Sequence, residues 1–219
     1  MTDNKWCRRH YALLFNKFTR EYVTVDLFEK RLSMMRRRLY TWCNVMTVYC
    51  TKNNFDKLML GFTYKPGCHY EPGHMRSYLK KIKQMLGEDL KAFAWVAELQ
   101  ARGEVHYHLM LVVSKGVKVP LPDKSGMWGF GSSNVQRART FYYLVSYIGK
   151  EYQKDLSKYP KHCRLYGASI RFDKAASELF REASGIKNDG EYYESAYEFV
   201  GACVTEGYLE VLKNSCNTV

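Results

Sequence analysis

The chain has 219 residues, and its 34 Lys plus Arg against 22 Asp plus Glu give a formal charge of +12. That length suits one domain with helical additions and is enough to bury a core without disulfides or structural metal. The cationic excess points to a polyanionic partner, most commonly nucleic acid. No apolar run is long enough to span a bilayer, and the first residues, MTDNKWCRRHY, lack the apolar core of a signal peptide, so the expectation is a cytosolic protein without a membrane partner. Seven cysteines, odd in number and with no C-x-x-C pair, predict reduced thiols.

Residues 1–50 are basic, aromatic and mostly helical in pattern. Within them, 25–40 places Leu27, Phe28, Leu32, Met35 and Leu39 along one stripe, with Asp26 near the start and arginines at 36–38 near the end, as the helix dipole prefers. The arginine run reads either as a solvated helix face or as a phosphate contact. Residues 57–64, KLMLGFTY, form an apolar run of strand length ended by Pro66 and Gly67, and read as the first core strand. Cys68, His69 and His74 cluster in GCHYEPGH but lack a fourth ligand at a recognisable zinc spacing, so the segment is expected to be a loop. A helix follows over 74–86, with Met75, Tyr78, Leu79, Ile82 and Leu86 inward.

The centre of the chain is 94–113, AWVAELQARGEVHYHLMLVV, which predicts a β-hairpin. Ala101, Arg102 and Gly103 make a three-residue loop, with glycine at the position that needs a positive φ. If Gln100 pairs with Glu104, then Glu98 stands opposite His106 and Trp95 opposite Leu109. Alternation puts Glu98, His106 and His108 on one face and Tyr107 on the other. Opposed Cβ atoms lie roughly 5 Å apart, so two imidazoles and a carboxylate can share one cation. Glu104 has the same parity and competes as a ligand, but it lies beside the turn, and Glu98 is preferred.

Residues 114–134 are rich in Gly, Pro, Ser and Lys and contain Trp128 and Phe130 in GMWGFGSS. So long a loop is more than a connection; its aromatics either stack on bases or fold back as a plug. Ser133 or Asn134 is placed to cap a helix over 135–154. There Phe141, Leu144, Val145 and Ile148 form an apolar stripe joined by Tyr152, while Tyr143, Tyr147 and Lys150 lie on the opposite side. A phenol becomes a nucleophile when a neighbouring ammonium or metal stabilises its anion.

Strand 57–64, the hairpin ELQARGEVHYH and the run Tyr143-L-V-S-Tyr147-I-G-Lys150 resemble, in order, the three motifs of HUH endonucleases. The resemblance is closest to the rolling-circle replication initiators (Rep proteins) of single-stranded DNA phages and small plasmids. It covers roughly 57–172, including RLYGASIRF, which resembles the strand after the tyrosine helix in the phage group. The resemblance implies an α+β fold with a ferredoxin-like or RRM-like antiparallel sheet and two main helices behind it. It implies that His106, His108 and Glu98 bind Mg²⁺ or Mn²⁺, and that Tyr147 attacks single-stranded DNA at a replication origin, leaving a 5′-phosphotyrosine and a free 3′-OH. Lys150 would hold the phenolate or the phosphorane charge. Tyr143 and Tyr147 match the pair of two-tyrosine phage initiators, whereas Tyr147 with Lys150 also resembles single-tyrosine Reps, so one or two active tyrosines remain open.

No G-x-x-x-x-G-K-[ST] occurs, so unwinding and synthesis are expected from a host helicase and polymerase in a prokaryotic cell. The expected organisation is a basic helical extension over 1–54, a nicking and joining core over 55–172, and a C-terminal helical extension over 173–219, with Ala176, Leu179 and Phe180 inward. Other readings are an HUH transposase-like strand transferase, a non-catalytic RRM-like nucleic-acid binder, and a facial-triad iron oxygenase on a small β-barrel.

Overall fold

The structure, a computed structural model, describes residues 11–151, 159–170 and 197–203. Strands β1 (Tyr11–Asn16) and β2 (Tyr22–Asp26) precede helix α1 (Leu27–Asn53). Then follow β3 (Asp56–Tyr64), α2 (His74–Leu86), a single 3₁₀ turn (Gly87–Asp89), β4 (Leu90–Leu99), β5 (Val105–Val113), β6 (Gly131–Arg137), α3 (Tyr143–Glu151), β7 (Tyr166–Ile170) and β8 (Tyr197–Cys203). The fold class is α+β. The main sheet is five-stranded and antiparallel throughout, in the order β6-β3-β5-β4-β7, and a smaller sheet has the order β2-β1-β8.

The central strand β5 is flanked on both sides and buried on both faces, which is why VHYHLMLVV reads as an almost unbroken apolar run. Helices cover both faces, rather than lying together behind one. On one face α2 turns Met75, Tyr78, Leu79, Ile82 and Leu86 inward, all buried as its periodicity predicts, and Tyr78 meets Phe62 of β3 at 4.6 Å between ring centroids. On the other face lie α3 and, beside it, α1. Trp42 of α1 meets Phe141 edge-on at 5.4 Å, and the Cys43 thiol donates to the Phe141 carbonyl at 3.3 Å. Burial pushes that thiol up to about 12, so it is a packed, protonated group. Helix α1 begins where the Asp26 carboxylate accepts the Glu29 N–H at 3.2 Å. Its Leu32, Met35, Leu39, Trp42, Met46 and Cys50 belong to the same core as the main sheet.

Three sequence expectations change. The first 26 residues are not helical where described: β1 and β2 are strands, and helix starts only at Leu27. The helix expected over 135–154 starts at Tyr143, because 131–137 instead pairs with β3 as the sheet edge. The C-terminal region, expected to be helical, contributes β8, a strand paired with β1; Ala176, Leu179 and Phe180 lie outside the described residues.

The long loop folds back. Trp128 is 1 % exposed and packs against Phe62, Tyr64 and Phe130 at 4.8, 5.4 and 5.0 Å. Phe130 in turn stacks on His74 at 3.5 Å. Trp128 is therefore a plug, and its burial removes the base-stacking alternative for that ring. The Cys68–His74 stretch is turn and coil leading into α2, with the His74 ring bonded through Nδ1 to the Tyr64 hydroxyl at 2.9 Å.

Candidate active site

The hairpin has the register its turn dictates. Gln100 N–H donates to the Glu104 carbonyl at 2.9 Å, Gly103 N–H donates back to Gln100 at 2.8 Å, and Gly103 has φ +93°. Glu98 consequently faces His106, and Trp95 faces Leu109. His106 and His108 project side by side with ring centroids 4.5 Å apart, and His108 Nε2 meets a Glu98 carboxylate oxygen at 2.9 Å. Glu104 is drawn elsewhere, to Arg102 Nε at 2.8 Å.

Across the other ladder, Thr63 of β3 stands opposite His106, and its hydroxyl is 2.8 Å from His106 Nδ1; the Gln100 amide nitrogen is at 3.5 Å. A hydrogen bond at Nδ1 fixes the ring and directs Nε2 toward any incoming electrophile. Burial, with help from His108 and Arg102, lowers His106 to about 4, against a smaller opposing effect of Glu98. His106 is therefore neutral at physiological pH and has a lone pair to offer.

Helix α3 lies over this face. The Tyr147 ring stacks on His108, with centroids 3.4 Å apart and planes 11° from parallel. Burial raises the Tyr147 pKa, and the Glu98 carboxylate and Tyr143 raise it further, so the group is a phenol in this state. Phe141 and Leu144 are buried beneath the helix, as the stripe predicts. Tyr143 is 48 % exposed at the first residue of α3, near enough to influence Tyr147 electrostatically but turned to solvent. The backbone of Lys150 is one turn beyond Tyr147; its side chain, like those of Ile148 and Tyr152, is outside the described set.

Glu98, His108 and Tyr147 are thus in direct succession, with His106 beside them. Among the described residues no three His, Cys, Asp or Glu side chains stand as a ready metal cluster. The donor set is nevertheless the kind a divalent cation takes: two imidazoles, one of them neutral and held through its far nitrogen, and a carboxylate from the facing strand. Sequence reasoning missed Thr63 and Asn134. The latter lies across β6 from Gly61, the residue opposite His108, and its side-chain carbonyl accepts the Gly61 N–H at 2.8 Å. The signal for both was the strand alternation of 57–64, which becomes informative only with the register against β5 and β6 known.

Fold and site together define an α+β protein with an open antiparallel sheet that carries a His-x-His pair and an opposing glutamate beneath a tyrosine-bearing helix. An open sheet with edges at β6 and β7 is not the barrel that a facial-triad oxygenase calls for. Residues 57–156 match the model of the ORF2 family of replication-associated proteins, the phage rolling-circle Rep type, and this segment of the chain belongs to that family. The match runs from β3 past the end of α3 and contains Glu98, His106, His108, Tyr143, Tyr147 and Lys150. No curated protein matches the chain at a significant level. Among the described residues no helix is long and apolar enough to cross a membrane.

Proposed function

We propose that this protein is a rolling-circle replication initiator of the HUH type, which nicks single-stranded DNA at an origin through Tyr147 and later rejoins it. The observation that carries the reading is the stack of Tyr147 on His108, with Glu98 against the same imidazole. Three side chains from β4, β5 and α3, distant in sequence, converge on one face of the sheet inside the segment that matches the replication-associated family. The antiparallel sheet with helices packed on it accords with the ferredoxin-like arrangement that the resemblance implies.

In the reaction the Tyr147 hydroxyl gives up its proton and its oxygen attacks the scissile phosphorus in line with the leaving O3′. The P–O3′ bond breaks, O3′ takes a proton, and the phosphate stays on Tyr147 as a 5′-phosphotyrosine. The free 3′-OH is then available as a primer for a host polymerase, behind a host helicase. The ester retains the bond energy, so the reverse attack by a 3′-OH rejoins the strand without ATP. His106, His108 and Glu98 would hold the cation. Bound there, Mg²⁺ or Mn²⁺ supplies Lewis-acid charge withdrawal at the phosphate and offsets the Glu98 field that otherwise favours the neutral phenol. Thr63 keeps His106 oriented, and stacking on His108 holds the Tyr147 ring in place. Lys150, one turn away on α3, stabilises the phenolate or the charge on the phosphorane.

The test is a denaturing gel after incubation with Mn²⁺ and an end-labelled single-stranded oligonucleotide carrying the element's origin. The native chain forms a covalent adduct, Tyr147→Phe forms none, and Tyr143→Phe still forms the first adduct. An adduct that persists in Tyr147→Phe and disappears in Tyr143→Phe reverses the assignment. Binding without any adduct in the native chain leaves the non-catalytic nucleic-acid binder.

A further inference from the structure

On the sheet face opposite Tyr147, α2, β4 and β7 enclose a groove of about 680 Å³, within the range of roughly 300–1,000 Å³ typical of ligand sites. Its rim is cationic. Arg76, Lys80 and Lys83 follow helical spacing along one stripe of α2, and Arg164 faces them from the segment that enters β7. Among the described residues no carboxylate lines the groove. Arg76, Lys80 and Arg164 are exposed, so they are not there to balance buried charge.

The floor is aromatic. The Trp95 indole lies flat over Gly167, where a Cβ would come within 2.5 Å of Nε1, so glycine at this position keeps the floor open against the β7 backbone. Lys83 Nζ sits 4.9 Å from the Phe93 ring centroid, and half-buried Tyr70 lines one side. Cations around a recess with aromatic walls are the physical requirement for an unpaired nucleic-acid strand: phosphates on the rim, bases turned inward against rings. A duplex keeps its bases stacked inside and has nothing to place in such a recess.

We propose that this groove is a second DNA site, which holds a single-stranded segment with phosphates at Arg76, Lys80, Lys83 and Arg164 and a base against Tyr70 and Trp95. It rests on the reading of the protein as DNA-binding, but not on any chemistry at Tyr147. Because the sheet separates the groove from Tyr147, one chain can hold two stretches of strand at once, and the second is captured at the high effective concentration that tethering confers.

The experiment uses the full chain with a short oligothymidylate carrying iododeoxyuridine. Photocrosslinking should label peptides containing Tyr70 or Trp95. The double variant Arg76→Ala/Lys80→Ala should lose that label and flatten the log–log salt dependence of binding by about 1.4, at roughly 0.7 per lost phosphate contact. Lys52→Ala/Lys118→Ala, on exposed lysines away from the groove, should change neither. The substituted positions are solvent-facing, so folding should be unaffected; circular dichroism checks this. Crosslinks confined to the Tyr147 face, an unchanged salt slope in Arg76→Ala/Lys80→Ala, or equal competition by duplex would overturn the proposal. Failure of the nicking reading is seen separately, as absence of a covalent adduct with Mn²⁺ while the groove label persists.

Discussion

Replacing Trp128 by alanine measures how far the 114–130 loop is part of the core. The ring is 1 % exposed, has aromatic neighbours at 4.8, 5.0 and 5.4 Å, and its indole N–H has no acceptor among the described residues. Truncating a buried Trp costs about 3–5 kcal/mol. The edge-on and tilted ring pairs, each adding about 0.5–1.5 kcal/mol beyond area, place this residue in the upper half of that range. A loss of that size is a large part of the ~5–15 kcal/mol by which a domain is stable. Trp128→Phe should cost much less, about 1–2 kcal/mol, since it leaves most ring contacts and sacrifices no hydrogen bond. Urea unfolding separates the two variants by midpoint at constant slope. The reasoning fails if Trp128→Ala costs under about 1 kcal/mol, or if Trp128→Phe keeps its stability but loses affinity for single-stranded DNA.

Three further outcomes are expected at the site. Thr63→Val keeps the volume but removes the hydroxyl on His106 Nδ1; it should raise the Mn²⁺ concentration for half-maximal adduct formation by about 10–100-fold, and an unchanged metal dependence would refute an orienting role. His106→Ala or His108→Ala should abolish cleavage while leaving most DNA affinity, because phosphate contacts elsewhere carry binding; full nicking in EDTA would count against any metal. For pH, His106 takes up its proton near 6.5 when unfolded and only at about 4 when folded. The unfolded chain therefore binds more protons between these values, and stability should fall as pH drops through that window, by up to about 3 kcal/mol at its acid end. The fall should be smaller in His106→Gln, measured by denaturant midpoints at pH 7 and pH 4.5; an identical fall would assign it to other groups.

The hairpin was legible because everything that sets it is local: a three-residue turn with glycine at the positive-φ position fixes the register, and alternation then decides which side chains share a face. The same holds for β3 and for α2, whose apolar stripe is its buried face. The tyrosine helix was legible in part. Its core stripe placed Phe141 and Leu144, but the contact of Tyr147 with His108 depends on how α3 lies across the sheet, which no helical wheel contains. The edge strand β6 was read as a helix start because GSSNVQR has no apolar face, and its pairing with β3 spans a long loop. Thr63 is invisible as a site residue until β3 and β5 are aligned.

The pairing of β1 with β8 imposes an order of events during synthesis. Tyr11–Asn16 leaves the ribosome before the main sheet is made, yet one of its two sheet partners, Tyr197–Cys203, emerges only after that sheet. Until then the nascent protein presents an unpaired apolar edge, YALLFN, of the kind that recruits other strands. A translational pause or premature stop between the two would leave that edge bare on a chain whose main sheet has already formed. Truncated products of this protein are therefore expected in the insoluble fraction, even when all five strands of the larger sheet are complete.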